Sequence, residues 1–262
     1  MTRVTLALGL LASQAALPSA AAPRVLLFTE ADGFVHPSIA DGIVALTAMA
    51  AQEGFALDVV DESEGFTPGN LALYDTVVWL STTGDVLTAP QQSAFEGFVE
   101  AGGGWVGIHA AADCEYDWPW YGDLLGNGAW FDSHPPIQEA RVELEGFGEP
   151  GAGIFPASGP FTDEWYNFQA NPRSAVTVVL TVDESSYDPG SGAMGADHPI
   201  AWHHVWDGGR AFYTVLGHRP ETWQDPRFLS QIRAAVLWTA GAFLFEDGFE
   251  SGSTGAWSAT VR

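Results

Sequence analysis

Histidine is the residue type in this sequence that could act either as an acid or base or as a metal ligand. The seven histidines all fall in predicted loops or late strands: His36, His109, His134, His198, His203, His204 and His218. Imidazole exchanges protons near neutral pH and is also the commonest metal ligand in proteins. His109 ends the run GGGWVGIH (102–109), a small-residue strand end followed by a turn. Elbow-type nucleophiles occupy such turns, so we predict that His109 reaches a crevice, where it transfers protons or binds a ligand.

Carboxylates beside aromatic rings form a second candidate set. Asp113 lies in DCEYDW (113–118), and Glu164 follows Asp163 in DEWYN (163–167). Acids accept hydrogen bonds from hydroxyls while Trp and Tyr rings cover apolar ring faces, so the combination suits a sugar. Paired carboxylates also serve as acid and base in glycosidic cleavage. The alternative is that the tryptophans belong to the core and the acids cap helices.

Spacing gives little support for a closed metal site or a nucleophile. No two histidines have the i, i+4 spacing of a zinc helix, and Cys114 is the single cysteine, so neither a CxxC site nor an intramolecular disulfide is predicted. An open metal site built from several loops is compatible with the sequence. There is no G-x-S-x-G motif, and the glycines at 102–104 precede a strand instead of opening a helix, which argues against a phosphate loop.

Alternating apolar runs and helical patterns position these residues. Strands are predicted over 24–29, 55–61, 76–81 and 105–109, with helices over 38–52 and from Pro90 to the glycines at 102–104. This alternation predicts an α/β fold with a parallel sheet covered by helices on both faces. Ligands bind at the carboxyl ends of the strands of such sheets, so segments 30–36, 82–85 and 109–113 should line one crevice.

The later elements are less regular. Strands are predicted over 137–144, as an edge strand, and over 175–182, 200–205 and 210–216, the last two as a hairpin, before a helix from Asp225 to Gly241. His203 and His204 are adjacent on one of these strands, so their side chains point to opposite faces and only one of them can face the crevice.

The charge of the chain limits its partners. Asp and Glu number 33 against nine basic residues, which are all arginine, and the net charge is -24 at pH 7. Such a chain repels phosphate backbones and anionic membrane surfaces, so neither nucleic-acid nor membrane-surface binding is predicted.

The two ends differ in composition from the region between them. Residues 1–21 place Arg3 before a short apolar run and a small-residue stretch, the layout of a secretory signal peptide, which predicts a secreted or periplasmic protein. Residues 242–262 form a Gly/Ser-rich acidic tail without periodicity, which leaves 22–241 as the folded domain. No segment is apolar for long enough to cross a bilayer.

A series of motifs in consistent order resembles the ThuA-like (trehalose-utilisation) family: FVHPSI (34–39), STTGD (81–85), GGGWVGIHAA (102–111), DWPWYG (117–122), SHP (133–135), DEWYNF (163–168), GADHPI (195–200), GGRAFY (208–213) and GH (217–218). The resemblance implies a flavodoxin-like fold similar to class I glutamine amidotransferases. Their elbow carries cysteine, whereas His109 stands here, which implies that glutaminase chemistry is lost. The family name implies a carbohydrate substrate, a disaccharide or a keto-sugar derivative.

We therefore predict an exported protein that acts on a carbohydrate by acid-base chemistry. The predicted catalytic residues are His109, His36, Asp113 and Glu164, and the predicted substrate-binding residues are Thr83, Asp85, Trp118, Trp165, His204 and His218. Two alternatives stay open: a non-catalytic carbohydrate-binding protein of the envelope, and a hydrolase that uses a divalent metal.

Overall fold

The computed structural model describes residues 22–242. The predicted signal peptide (1–21) and the predicted tail, apart from Ala242, lie outside the described residues. No helix within 22–242 is both long and apolar enough to span a membrane.

The described chain alternates strands and helices, with several short 3-10 turns. In chain order the strands are β1 (Arg24–Phe28), β2 (Ala56–Val60), β3 (Thr76–Leu80), β4 (Thr83–Gly84), β5 (Gly104–Ile108), β6 (Asp113–Cys114), β7 (Phe131–Ser133), β8 (Gln138–Leu144), β9 (Ser158–Asp163), β10 (Asn167–Phe168), β11 (Thr177–Asp183), β12 (Pro199–Trp206) and β13 (Gly209–Thr214). The α-helices are α1 (Ile39–Glu53), α2 (Pro68–Leu71), α3 (Ala89–Glu100), α4 (Pro119–Leu125) and α5 (Pro226–Thr239).

One nine-stranded sheet, in the order β2-β1-β3-β5-β13-β12-β11-β8-β9, organises the fold. The pairs from β2 to β13 are parallel, and the pairs from β13 to β9 are antiparallel. The parallel strands β1, β3 and β5 are apolar and almost completely buried, as expected of strands covered on both faces. The predicted α/β fold of the flavodoxin-like type is confirmed.

Alternate side chains of the central strands pack against helices on opposite faces. Trp79 of β3 stacks on Tyr121 of α4 and contacts Phe95 of α3 on one face. The next residue, Leu80, points to the other face, where it lies so close to α1 that a Cβ at Gly42 would come within 2.8 Å of its side chain. The period of two along a strand thus produces the two helical layers.

One strand prediction was wrong in its position in the sheet. β8 was predicted as an edge strand, but it pairs with β11 on one side and with β9 on the other. The edge is β9, with the sequence SGPFTD, whose Gly159 and Pro160 are more typical of a turn. Proline lacks an N–H and is tolerated in a sheet at an edge strand, which is the position that β9 occupies.

Candidate metal centre

Four of the predicted site residues converge at the carboxyl edge of the sheet: His36, His109, Glu164 and His218. They follow β1, β5, β9 and β13, respectively. One ligand atom from each lies within 4.8 Å of the corresponding atoms of the other three. These four side chains therefore converge at the strand ends, although β9 was not among the predicted strands. His109 is completely buried, and His36 and Glu164 are 4% and 6% exposed, which corrects the prediction that the His109 side chain reaches an open crevice.

His109 is held at the elbow by hydrogen bonds to both its backbone and its ring. The residue has φ 52°, in the left-handed region, and its carbonyl oxygen accepts a hydrogen bond of 2.8 Å from the Tyr213 hydroxyl. Its Nδ1 lies 2.7 Å from the carbonyl oxygen of Val215. Because that oxygen can only accept, Nδ1 carries a hydrogen, and Nε2 is the ring nitrogen that faces Glu164 and His218.

His36 presents a neutral imidazole to the same space. Its ring lies edge-on to those of His109 and His218, with centroids 4.8 and 5.3 Å apart. Burial lowers the pKa of His36 to about 3, and the neighbouring His109 and His218 act in the same direction. Its Nδ1 is buried and has no hydrogen-bond partner among the described residues. An uncharged ring with an unpartnered nitrogen is suited to donate a lone pair to a cation.

Glu164 and His218 are in direct contact inside the cluster. Glu164 Oε2 lies 3.2 Å from His218 Nδ1 and 3.5 Å from His109 Nε2. Although burial raises the pKa of Glu164, the neighbouring imidazoles of His109 and His218 hold that pKa below its usual range. Burial lowers the pKa of His218, but the hydrogen bond to Glu164 outweighs it and raises that pKa above its ordinary value.

The donor set fits a divalent transition metal. Three imidazoles and one carboxylate are the ligands that Zn²⁺ and related cations take in catalytic sites. The hydrogen bond from His109 Nδ1 to a carbonyl is the outer-shell contact that usually fixes a metal-binding histidine. The unpartnered Nδ1 of His36 supports the fit, because a cation in this space would give that buried atom a partner.

His134, for which the sequence predicted no role, contacts the outer side of Glu164. Its Nδ1 lies 3.1 Å from Glu164 Oε1 and 3.0 Å from the carbonyl oxygen of Pro135, and its side chain is 42% exposed. The two carboxylate oxygens therefore face different groups, Oε2 the cluster and Oε1 an exposed imidazole. In the sequence this residue was marked by the motif SHP (133–135) and by its place among the loop histidines.

Asp113 and two exposed aromatic side chains stand beside the cluster. Asp113 is half-buried and accepts a hydrogen bond of 2.6 Å from the Tyr116 hydroxyl. Burial raises the pKa of Asp113. The Tyr116 side chain is 41% exposed, and Phe34, which packs edge-on against His36, is 62% exposed. Sequence reasoning assigned no role to Phe34 or Tyr116.

The structure places the two predicted sugar-binding tryptophans in the core, which corrects that prediction. Trp118 is 6% exposed, stacks on Tyr121 and donates its indole N–H to Glu96. Trp165 is completely buried and donates to the carbonyl oxygen of Gln138. Neither ring has a face free for a ligand, and the alternative that these tryptophans belong to the core is the correct one.

Three further predicted residues also lie outside the four-residue cluster. Thr83 is buried, and its hydroxyl donates to the carbonyl oxygen of Phe34, so it fixes the loop that carries His36. Asp85 is exposed and lies near the carboxylate of Glu115. Nε2 of His204 is hydrogen-bonded to the carbonyl oxygen of Leu124.

Comparison with known proteins adds independent findings. The family model ThuA, described as trehalose utilisation, matches residues 24–239. A putative ThuA-like protein from Bacteroides uniformis is 26% identical with a TM-score of 0.72, over 86% of this chain and 95% of that one. One from Parabacteroides merdae is 20% identical with a TM-score of 0.69, over 84% and 91%.

A likeness to a larger protein shows the fold alone. A β-galactosidase from Bacillus circulans sp. alkalophilus is 14% identical with a TM-score of 0.55, over 84% of this chain and 31% of that one. No curated protein matches the sequence.

Proposed function

Because the chain belongs to the ThuA family, whose description is trehalose utilisation, we propose that it is a divalent-metal-dependent enzyme that acts on a carbohydrate. The observation that carries this proposal is the convergence of His36, His109, Glu164 and His218 within 4.8 Å. The proposal combines the predicted carbohydrate substrate with the alternative of a hydrolase that uses a divalent metal. Proton exchange between His109 and His36 without a metal is the alternative mechanism, and removal of the metal distinguishes the two.

Each residue of the cluster would contribute one ligand atom to the cation. His36, His109 and His218 offer imidazole nitrogens, and Glu164 contributes a carboxylate oxygen. When bound, a divalent cation acts as a Lewis acid that draws electron density from a substrate oxygen. The hydrogen bond from Nδ1 to the carbonyl of Val215 leaves Nε2 as the His109 nitrogen that faces the cluster.

Proton chemistry falls to Asp113, the carboxylate beside the cluster that solvent can reach. Its Oδ1 is held by the Tyr116 hydroxyl, which fixes the orientation of the carboxyl group. A half-buried carboxyl with a raised pKa can accept a hydroxyl hydrogen of the substrate and return it within one cycle. His134, with Nδ1 bonded to Glu164 and Pro135, leaves Nε2 as the ring atom available to hydrogen-bond a second hydroxyl.

A neutral sugar suits the surroundings of this centre. Phe34 and Tyr116 present exposed rings of the kind that cover the apolar face of a pyranose. A net charge of -24 disfavours phosphorylated or otherwise anionic substrates. The proposed substrate is therefore an uncharged disaccharide or its keto derivative. The signal-like composition of residues 1–21 supports a site of action outside the cytoplasm.

The test is metal analysis joined to a substrate screen on the purified full chain. The protein is stripped with a chelator, reloaded with Zn²⁺, Mn²⁺ or Co²⁺, and incubated with native and 3-keto disaccharides, and the products are identified by mass spectrometry. Turnover should require the metal and disappear in His109→Ala. His203→Gln is the matched control, since that histidine pairs with Glu149 and lies outside the cluster; it should retain both metal and activity.

Three results would contradict the proposal. Turnover that survives complete metal removal would restore the metal-free acid-base mechanism. Sugar binding in calorimetry without product after long incubation would favour a carbohydrate-binding protein. Failure of the reloaded protein to retain any stoichiometric divalent cation would refute the metal centre itself.

A further inference from the structure

Asp163 is a completely buried carboxylate that directly precedes one of the proposed metal ligands. It ends β9 at the same edge of the sheet as the cluster, but it contributes no atom to the group of four ligands. Burial raises the pKa of Asp163, so its position is costly for a charged group unless hydrogen bonds compensate.

Each oxygen of this carboxylate accepts two hydrogen bonds. Oδ1 accepts from the backbone N–H of Glu164 at 3.0 Å and of Arg219 at 3.3 Å. Oδ2 accepts from the backbone N–H of Gly217 and from the Thr222 hydroxyl, both at 2.9 Å. The four donors come from two chain segments, one of which is the segment after β13.

These donors surround two of the metal ligands. Gly217 and Arg219 are the neighbours of His218 on either side, and the third backbone donor is Glu164 itself. One carboxylate therefore fixes the backbone of Glu164 and of His218, which follow β9 and β13, two strands at separate places in the sheet order. Metal ligands have to be held to within about 0.5 Å of their productive positions, and outer groups supply that constraint.

We propose that Asp163 is the positioning residue of the metal centre, which sets Glu164 and His218 at one cation by anchoring both backbones to a single carboxylate. This inference rests on the proposed function and extends it to a residue that touches neither metal nor substrate. An isosteric Asn cannot replace it, because an amide has one oxygen and one NH₂ group. If the NH₂ group takes the place of Oδ2, Thr222 can turn its hydroxyl to accept, but the Gly217 N–H then faces another donor, and the segment that carries His218 has to move.

The test compares Asp163→Asn with Glu115→Gln, a change at a second buried carboxylate. Glu115 accepts from the backbone N–H of Val86 at 2.9 Å and of Leu87 at 2.8 Å, and none of its bonds reaches a proposed ligand. Zn²⁺ and Co²⁺ affinities are measured by competition with a chromophoric chelator. All variants are measured at the same pH and at a temperature at which each of them is folded. Asp163→Asn should lose about 10–100-fold in affinity and change the Co²⁺ absorption bands, whereas Glu115→Gln should stay within about threefold of the wild type.

A milder pair of variants decides the matter if Asp163→Asn does not fold. Thr222→Val removes one of the four donors and leaves the carboxylate in place, and Thr239→Val removes a buried hydroxyl that bonds to Thr76 on the opposite side of the fold from the cluster edge. Thr222→Val should weaken Co²⁺ binding by about three- to tenfold, and Thr239→Val should leave it unchanged.

The outcomes separate the two proposals. A wild-type chain that binds no cation overturns the proposed function and this inference with it. Wild-type binding together with wild-type affinity in Asp163→Asn, or in Thr222→Val where that variant decides, overturns the positioning role alone. Equal losses in Asp163→Asn and Glu115→Gln overturn it as well, because a general loss of stability would then account for both.

Discussion

The left-handed backbone at His109 leads to an unusual expectation for its substitution. His109 has φ 52°, a conformation that costs a residue with a Cβ about 1–2 kcal/mol and costs glycine little. We expect His109→Gly to be more stable than His109→Ala, although glycine is ordinarily the more destabilising of the two.

The expected difference in the free energy of unfolding is small, because the two variants lose almost the same interactions. Both variants remove the same buried imidazole and leave the carbonyl of Val215 without its donor, so these costs cancel. Relief of the left-handed strain favours glycine by about 1–2 kcal/mol, and the greater freedom of glycine in the unfolded chain opposes this by about 0.5–1 kcal/mol. The net preference is about 0–1.5 kcal/mol, or up to about 6 °C in Tm for a domain of this size.

Urea unfolding of the two metal-free variants measures the difference directly. Ala111→Gly is the control, because Ala111 is also buried in this turn but is not among the residues with positive φ. It should lose about 1–2 kcal/mol through the removed methyl group and the added chain freedom. If His109→Gly were the less stable of the two His109 variants, the strained elbow would be refuted.

Three further predictions concern the metal, a surface network and the substrate. Zn²⁺ at 100 times its Kd should stabilise the chain by about 2.7 kcal/mol and raise Tm by about 5–11 °C in scanning calorimetry, and a Tm unaffected by chelator would contradict the site. Arg173 bonds to both Glu145 and Asp197, so Arg173→Met should cost about 1 kcal/mol at pH 7. The hydrogen bond from Arg173 lowers the pKa of Asp197. The stabilisation by this pair is therefore complete above pH about 4 and is lost as the pH falls through the folded-state pKa of Asp197. If Arg173→Met destabilised the chain as much at pH 2.5 as at pH 7 in urea unfolding, this prediction would be refuted. Phe34→Ala should raise the KM of the accepted disaccharide about 5–30-fold with little change in kcat, because about 1–2 kcal/mol of ring contact is lost. Trp118→Phe, a change in the core, should lower Tm and leave KM unchanged. Steady-state kinetics distinguishes the two variants.

The parallel half of the sheet could be predicted from the sequence because its strands are continuous apolar runs. β1, β3 and β5 begin and end within about one residue of their predicted bounds, since burial on both faces leaves little choice of residue type. Short elements with turn-like residues were missed. β9 contains Gly159 and Pro160, and α4 is a seven-residue helix that begins at a proline.

The site could be predicted only as far as its residues follow recognisable strand ends. His36 and His109 were found in this way, because the direction of a parallel strand fixes the edge at which it ends. The roles of Trp118 and Trp165 could not be determined from their type, since an aromatic ring beside a carboxylate looks the same in sequence whether it lines a crevice or fills the core. The neighbours that bury them come from distant segments, such as Glu96 and Gln138.

The meeting of Glu164 with the histidines depends on strand direction. β13 runs parallel to β5, and from β13 each step to β12, β11, β8 and β9 reverses direction. Four reversals restore the original direction, so the end of β9 lies at the same edge as the ends of β1, β5 and β13. With one strand fewer in the antiparallel half, Glu164 would follow a strand that ends at the opposite edge. The centre thus takes its imidazoles from the parallel half of the sheet and its carboxylate from the antiparallel half, and a cation held by all four residues would join the two halves.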